Sequence, residues 1–117
     1  MVGGSVGKVA TALVALCCVV FVTQATEYHV GWVFNVQSYG WGKIFTAGDV
    51  LVFDYVPGTH NVVEVDEAEW GACQPRPGAR THTSGHDRIT LHHGTNYFIC
   101  SFPDHCDKGV NIAVTAK

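Results

Sequence analysis

The chain has very little methionine, no surplus of positive charge and no second long apolar run. Its only methionine is Met1, so no thioether is available to a site elsewhere in the chain. Lysine and arginine number 7 against 10 aspartates and glutamates, and without a basic patch nothing predicts nucleic-acid binding. There is no Asn-x-Ser/Thr acceptor for glycosylation. No apolar segment near the C-terminus predicts a membrane span or a tail-processed lipid anchor.

The one long apolar run lies at the N-terminus. Lys8 is followed by apolar residues from 9 to 22 and then by small residues up to Ala25. This pattern predicts a secretory signal over residues 1–25, because the run is short for a membrane span and has the flanks of a cleavage site. A retained N-terminal anchor is the alternative. We therefore expect one small secreted domain over residues 26–117.

Short apolar runs separated by turns dominate residues 26–117. Six strands are predicted, at residues 27–30, 50–53, 61–65, 89–91, 96–99 and 110–114. The runs at 50–55 and 96–100 are almost continuously apolar, whereas 110–114 alternates between apolar and other residues. Both patterns favour an all-β sandwich of two sheets, in which some strands are buried on both faces.

Residues 66–72 form the one segment with a helical pattern. Asp66 can cap the start of this helix, and Glu67 and Glu69 would lie near its positive end. The segment that follows the helix, 74–88, is rich in proline, glycine, arginine, threonine and histidine. It is predicted to be a surface loop.

Three of the five cysteines lie outside the predicted signal: Cys73, Cys100 and Cys106. In an oxidising compartment, three cysteines give one disulfide and one free thiol. Pairing Cys73 with Cys106 would stabilise the fold by roughly 3–4 kcal/mol in the chain-entropy account and leave Cys100 free. Pairing Cys73 with Cys100 would leave Cys106 without a role. The cysteines alone leave both pairings open.

A thiol and two imidazoles make up the most specific motif. Cys100 and His105 lie five residues apart on a loop that follows an apolar run, and His60 follows a Pro-Gly turn at the start of another. One thiolate with two imidazoles is the ligand set of a mononuclear blue-copper site, which transfers single electrons. Zinc accepts the same three ligands but would want a fourth donor. A copper site at His60, Cys100 and His105 is therefore predicted.

Other readings of the histidines and cysteines find less support. Cys100 and His105 could form a nucleophile pair, but the sequence shows no orienting third group and no oxyanion motif, so an enzyme is not predicted. The remaining histidines are expected to be solvated or lightly hydrogen-bonded; they are His29, His82, His86, His92 and His93.

The order of these residues resembles the phytocyanins, small secreted blue-copper proteins of plants, and within them the plantacyanins. The resemblance covers 26–117 and is carried by Ala47-Gly48-Asp49, His60-Asn61-Val62-Val63, Cys73, Thr83-Ser84-Gly85, Tyr97-Phe98-Ile99-Cys100, Phe102-Pro103, His105-Cys106, Gly109 and Asn111-Ile112-Ala113-Val114. It implies a cupredoxin-like Greek-key β-sandwich of two sheets with one short helix and one disulfide, Cys73–Cys106. It also implies one type 1 copper held by His60, Cys100 and His105.

The resemblance fails at one ligand position. The family's axial methionine would follow Gly109, where this chain has Val110, and valine has no lone pair to donate. Copper is then either retained by the three strong ligands at a raised reduction potential, or lost, leaving a copper-free extracellular or cell-wall interaction module. Phe102 and Pro103, beside His105, are predicted to stiffen the loop or to form an apolar patch for a redox or cell-wall partner. We expect a monomer in the apoplast or cell wall.

Overall fold

The structure, a computed structural model, describes residues 25–117. The predicted signal segment, apart from its last residue, lies outside this range. The described chain folds into β1 (Glu27–Gly31), β2 (Val50–Asp54), β3 (Val62–Val65), α1 (Glu67–Ala72), β4 (Thr81–His82), β5 (His86–Thr90), β6 (Gly94–Ile99) and β7 (Asn111–Ala116). Within these residues, no helix has the length and hydropathy needed to span a membrane.

The strands form two sheets, with the orders β1-β2-β5 and β4-β3-β6-β7. β1 runs parallel to β2, and all other neighbouring strands are antiparallel. The chain passes from one sheet to the other three times, between β2 and β3, between β4 and β5, and between β5 and β6. Strands that are far apart in sequence, such as β3 and β6, therefore become neighbours. The predicted all-β sandwich of two sheets is confirmed.

The main core lies between the inner faces of the two sheets. Leu51 and Phe53 from β2 and Ile112 from β7 are fully buried there, and each such side chain contributes about 1.5–3 kcal/mol through burial. Trp32, just after β1, packs edge-on against Phe53 with ring centroids 5.0 Å apart. Its indole N–H donates to the carbonyl of Asn61 at 2.8 Å, so the end of β1 is fixed beside the start of β3.

The short helix α1 begins where the sequence predicts. The Asp66 carboxylate accepts from the backbone N–H of Glu69 at 2.8 Å, and the Glu69 carboxylate accepts from the N–H of Asp66 at 3.0 Å. This reciprocal capping box satisfies two backbone donors that a helix start would leave free. The helix ends at Cys73, which adopts a left-handed conformation with φ 52°.

A disulfide fastens the end of α1 to the loop between β6 and β7. It joins Cys73 to Cys106, which are 33 residues apart in sequence. Together with Val63, Ile99 and the half-buried Trp70, this bridge forms a second, smaller apolar cluster. The helix therefore covers the outer face of the four-stranded sheet, and Cys100 is left as the free cysteine of the described residues.

The prediction of a surface loop over residues 74–88 is wrong in part. β4 lies within this segment, where His82 pairs with Val62 of β3, and β5 begins in it at His86. β4 is only two residues long and edge-exposed, and β5 starts with polar residues, so neither carries an apolar alternation. Tertiary pairing with strands already in place forms these two strands.

Candidate metal centre

Two neighbouring strands bring the predicted ligands together. β3 and β6 are antiparallel, with Val63 opposite Ile99, so the residues just before β3 lie beside those just after β6. His60 and Cys100 occupy these two places. His105 returns from the connection between β6 and β7. That connection is closed by a hydrogen bond from the His105 N–H to the Phe102 carbonyl at 3.1 Å.

The three ligand atoms form a small triangle. Cys100 Sγ lies 3.7 Å from His60 Nδ1 and 3.6 Å from His105 Nδ1, and the two Nδ1 atoms are 2.9 Å apart. A point equidistant from all three atoms lies roughly 2.0 Å from each, which is about the length of a bond between a metal and an imidazole nitrogen. The trio is the metal-ligating group found among the described residues. Its geometry suits one transition-metal ion without rearrangement.

Burial prepares these side chains for metal binding. Cys100 is fully buried, His60 is 6% exposed and His105 is half-buried. Burial lowers the pKa of His60, and the neighbouring His105 ring lowers it further. A histidine binds a metal only when its ligating nitrogen is unprotonated. The site therefore favours the protonation state of His60 that can bind a metal.

Two polar residues to which the sequence analysis assigned no role hold the ligand loops together. The Asn61 side-chain amide donates to Ser101 Oγ at 2.8 Å, and its Oδ1 accepts from the Ser101 N–H, also at 2.8 Å. Each residue directly follows a ligand, so this pair of bonds fixes the spacing between His60 and Cys100. Hydrogen bonds that fix the placement of ligands in this way commonly tune metal affinity.

Val110 lies between the two ligands of the β6–β7 connection. Its carbonyl accepts from the Cys100 N–H at 2.9 Å, and its own N–H donates to the His105 carbonyl at 3.0 Å. The side chain is fully buried in the same apolar cluster as Cys100. The side chain of residue 110 thus adds hydrocarbon to the buried surroundings of the thiol, but it has no lone pair to donate.

Aromatic rings surround the histidines on the solvent side. Phe34, which the sequence analysis missed, packs edge-on against His60 and His105 with centroids 5.4 and 4.9 Å away, and it is 45% exposed. The ring of Phe102 lies 5.5 Å from that of His105, and the neighbouring Pro103 is exposed. The predicted role of Phe102 and Pro103 in docking stays a prediction. No sequence spacing pointed to Phe34, because it lies in a long connection without periodicity.

The other histidines lie away from the centre. His29 and His86 contact the two oxygens of the Asp54 carboxylate at 2.6 and 2.7 Å, and His82 contacts Glu64 at 2.7 Å. His92 and His93 are exposed. These placements agree with the prediction of solvated or hydrogen-bonded side chains.

Known proteins resemble this chain along most of its length. Residues 32–110 match the family model of the plastocyanin-like domain. A basic blue protein of Arabidopsis thaliana is 53% identical over 80% of this chain and 75% of its own length. A chemocyanin of Lilium longiflorum is 48% identical over 97% of this chain and 95% of its own length.

Solved structures of other proteins resemble this chain in fold as well as in sequence. Cucumber basic protein, a blue copper protein, superposes with a TM-score of 0.77 at 47% identity, and spinach plantacyanin does so with 0.74 at 54%. Each comparison covers 79% of this chain and 100% of the other. Together with the buried ligand group of two histidines and one cysteine, these matches support the predicted type 1 copper cofactor. The chain belongs to the phytocyanin family of cupredoxins.

Proposed function

We propose that this chain is a secreted electron carrier that holds one type 1 copper through His60, Cys100 and His105, with no axial thioether. The observation that carries the proposal is the triangle of their ligand atoms, with edges of 2.9 to 3.7 Å. Bound copper would supply a one-electron couple at this position. A soft thiolate suits Cu(I), and imidazole suits both oxidation states. Family membership also supports the prediction that the chain is not an enzyme.

The protein's own contribution is to hold the ligands in one geometry. The paired bonds between Asn61 and Ser101 fix the two ligand loops, and the disulfide at Cys106 holds the residue after His105. A site that moves little between oxidation states exchanges electrons with little reorganisation. Both restraints act on residues directly next to ligands, which supports a role in electron transfer.

The side chain of Val110 supports a raised reduction potential for the proposed copper centre. Its side chain brings no donor atom to the centre and shields the buried thiol from water. Loss of a weak axial donor and a drier surrounding both favour Cu(I) over Cu(II). The proposed centre would therefore have a higher potential than the same centre with methionine at residue 110.

The half-buried His105 is the proposed exit for the electron. Its ring lies under Phe34 and Phe102, and Pro103 is exposed beside it. This rim offers an apolar surface on which a redox partner can bring its own centre close to the imidazole edge. We assign partner docking to Phe102 and Pro103 on this ground, and expect the carrier itself to be a monomer.

The proposal includes the cellular setting. A signal over residues 1–25 would direct a domain of residues 26–117 into the extracellular space, the apoplast or cell wall. The disulfide between Cys73 and Cys106 supports an oxidising compartment. Sequencing the N-terminus of the protein recovered from the culture medium of an expressing plant cell tests this part. A protein retained in the cell with residues 1–25 still attached would contradict it.

A second candidate is a copper-free extracellular interaction module on the same fold. The observation that favours it is Val110, which leaves three ligands where the family implies four. Both candidates need the sandwich, but only the electron carrier needs the Cys100 thiolate.

Copper loading separates the two candidates. The purified protein with its disulfide intact is titrated with Cu(II), while visible absorption and electron paramagnetic resonance are recorded together. The electron carrier predicts an intense blue thiolate-to-copper band and narrow copper hyperfine splitting. A colourless, ordinary Cu(II) spectrum from folded protein would overturn this proposal in favour of the interaction module.

The matched control is the Cys100→Ser variant, which keeps the size of the side chain and removes the soft ligand. It should fold, as judged by its far-ultraviolet circular dichroism, and lack the blue band. If its biological activity equals that of the unsubstituted protein, the function does not depend on copper redox chemistry.

A further inference from the structure

A cleft lies next to the connection between β6 and β7. None of the three proposed ligand residues lines it. Its volume is about 290 Å³, and its walls include Asn35, Gln37, Trp41, Trp70, Lys108 and Asn111. Pockets that hold small ligands begin at roughly 300 Å³, so the cleft has room for a small molecule or for one unit of a longer chain. The proposed electron carrier makes no use of it.

The cleft is a fixed part of the fold, because hydrogen bonds join its walls. The Asn35 N–H donates to the Lys108 carbonyl at 3.3 Å, and the next residue, Val36, donates to the Gly109 carbonyl at 3.0 Å. Gly109 has a φ of 90°, and a Cβ there would collide with the Gln37 side chain. Only glycine therefore lets the two walls approach this closely.

Trp41 forms an exposed aromatic surface on one wall. Its side chain is 73% exposed, although the chain beside it is firmly held. A Cβ on the preceding Gly40 would lie 2.5 Å from the Ala113 carbonyl oxygen, so that the loop is pressed against β7. The backbone N–H of Trp41 donates to the Ser38 carbonyl at 3.0 Å. Exposure of a large apolar ring to water is unfavourable, so a ligand that covers the ring would gain free energy of binding.

Trp70 also lines the cleft. Its ring packs on Tyr97 with centroids 5.6 Å apart, which fixes the position of the ring. Within residues 25–117, its buried indole N–H is the side-chain polar group without a hydrogen-bond partner. Buried polar groups normally have partners. This N–H is closed to solvent, so a ligand in the cleft would contact the Trp70 ring rather than its N–H.

The rest of the lining is polar and almost neutral. Asn35, Gln37 and Asn111 contribute amides, which offer both donors and acceptors. The Asn111 amide is oriented by a hydrogen bond from its Nδ2 to the Cys106 carbonyl at 2.9 Å. Lys108 and Asp107 bring one positive and one negative charge. The wall therefore matches an uncharged ligand with many hydroxyl groups better than an anion or a cation.

We propose that this cleft binds a neutral saccharide chain, with one sugar ring lying on Trp41 and its hydroxyls on the surrounding amides. A pyranose has a face of C–H bonds and a rim of hydroxyl groups. The electron-rich face of an indole attracts such C–H bonds, and an amide can bond a hydroxyl as donor and as acceptor. This function is additional to electron transfer and does not require the metal.

Nuclear magnetic resonance tests the proposal with a built-in control. The three tryptophans give three indole N–H signals, and Trp32 is fully buried with its N–H bonded to Asn61. Protein expressed from the full chain is labelled with ¹⁵N and kept under a reductant, so that any bound copper is diamagnetic. Neutral tetrasaccharides of glucose, xylose, mannose and galactose are titrated in turn. The signals of Trp41 and Trp70 should shift with at least one of them, while that of Trp32 stays in place.

Two variants locate the binding. Trp41→Ala should weaken the binding of the active sugar about tenfold, at the upper end of what one aromatic contact contributes. Ile44→Ala, a matched change at a side chain 67% exposed in the same connection, should bind as the unsubstituted protein does. An unmoved Trp32 signal shows that each variant is folded. The visible absorption of each variant, measured without reductant after loading with Cu(II), should equal that of the unsubstituted protein, which separates this test from that of the proposed function.

Several results would overturn the proposal. One is that no neutral tetrasaccharide shifts Trp41 and Trp70 at millimolar concentrations. Another is that the only active probe is trigalacturonate, which would show recognition of negative charge. A third is that only a proline-rich peptide acts, which would assign the cleft to an extended polypeptide. Binding that survives Trp41→Ala unchanged would place the saccharide elsewhere.

Discussion

Two pairs of histidines in this molecule have opposite surroundings. His60 and His105 turn their Nδ1 atoms towards each other and towards a buried thiol, with separations of 2.9 to 3.7 Å. His29 and His86 instead contact a single carboxylate, that of Asp54, from two sides. His60 is buried and His105 is half-buried, whereas both members of the second pair are exposed. We call the two pairs the shielded pair and the exposed pair.

The difference shows that metal binding depends on what the ring nitrogens face, rather than on how many histidines lie together. In the exposed pair, each Nδ1 is engaged with a carboxylate oxygen, which makes a hydrogen-bonded cluster on the outer face of the three-stranded sheet. In the shielded pair, the nitrogens converge on a soft sulfur and leave room for one ion. Strand pairing underlies both arrangements. His29, Asp54 and His86 belong to three paired strands, whereas His60 and Cys100 flank the paired strands β3 and β6.

The largest expected effect comes from removing one histidine of each pair. His60→Asn should abolish the blue band of the copper-loaded protein, because it removes one of three strong ligands. The matched change His86→Asn should leave the band unchanged. Visible absorption after loading with Cu(II) measures both. A blue His60→Asn protein would show that the triangle is not the copper site.

The second change weakens the link between the two ligand loops of the shielded pair without substituting a ligand. Asn61→Ala removes two hydrogen bonds to Ser101. At about 0.5–1.5 kcal/mol for each bond, this should lower the free energy of unfolding by about 1–3 kcal/mol. Chemical denaturation measures the loss. The imidazole resonances of His29 and His86 should stay in place, because Asn61 does not contact that pair.

Thr95→Ala is the control for this change, because it removes one exposed side-chain contact to Thr115. It should cost less than Asn61→Ala. Equal losses for the two variants would mean that the link between the ligand loops has no special weight in stability.

Adding a donor to the shielded pair should change the electron affinity of the centre. Val110→Met offers a thioether beside Cys100 and should lower the reduction potential, since an axial donor favours Cu(II). A decrease on the order of 60 mV corresponds to a tenfold change in the preference for Cu(II). Voltammetry measures the potential, and Val110→Leu supplies the control for side-chain size. No difference between the two variants would show that residue 110 does not reach the metal.

The smallest expected effect concerns the exposed pair and pH. Hydrogen bonds from His29 and then from His86 hold the pKa of Asp54 below its ordinary value of 3.8. A depressed pKa stabilises the fold above the unfolded value, and this contribution is lost as the pH falls through the folded value. The stability of Asp54→Asn should therefore depend less on pH below about pH 4 than that of the unsubstituted protein.

Acid titration of thermal unfolding measures this effect, and Glu67→Gln is the control, as it removes a carboxylate exposed at the start of α1. The effect will be small because Asp54 is open to solvent, which screens its interactions. Identical acid profiles for Asp54→Asn and the unsubstituted protein would show that the histidines do not act on this carboxylate.

The sequence predicted which three side chains would come together, because the residues of a metal site are concentrated in short motifs. His60, Cys100 and His105 stand next to apolar runs that became β3 and β6, and Asp66 caps α1 as its residue type suggests. The bond between Asn61 and Ser101 was not visible in the same way. Its role in joining the two ligand loops can be recognised only once β3 and β6 are known to be neighbours.

The features that the sequence analysis missed all depend on tertiary structure. β4 is too short and too polar to show a strand pattern, and it exists because β3 supplies a pairing edge. Phe34 lies in the long connection between β1 and β2, where no period predicts which side chain will cover the histidines. The Asp54 cluster likewise requires the register between β2 and β5.

The complete burial of Cys100 has a consequence for how the protein matures. Thiol exchange needs a thiolate that another sulfur can reach, and the closed sandwich removes that access. The choice of partner for Cys73 must therefore be made while the chain is still open, after which the folded core protects the correct choice against reshuffling. Its buried position thus keeps the Cys100 thiol unreactive towards other sulfurs. An early error that paired Cys100 with Cys73 would remove the thiolate that the proposed copper site requires.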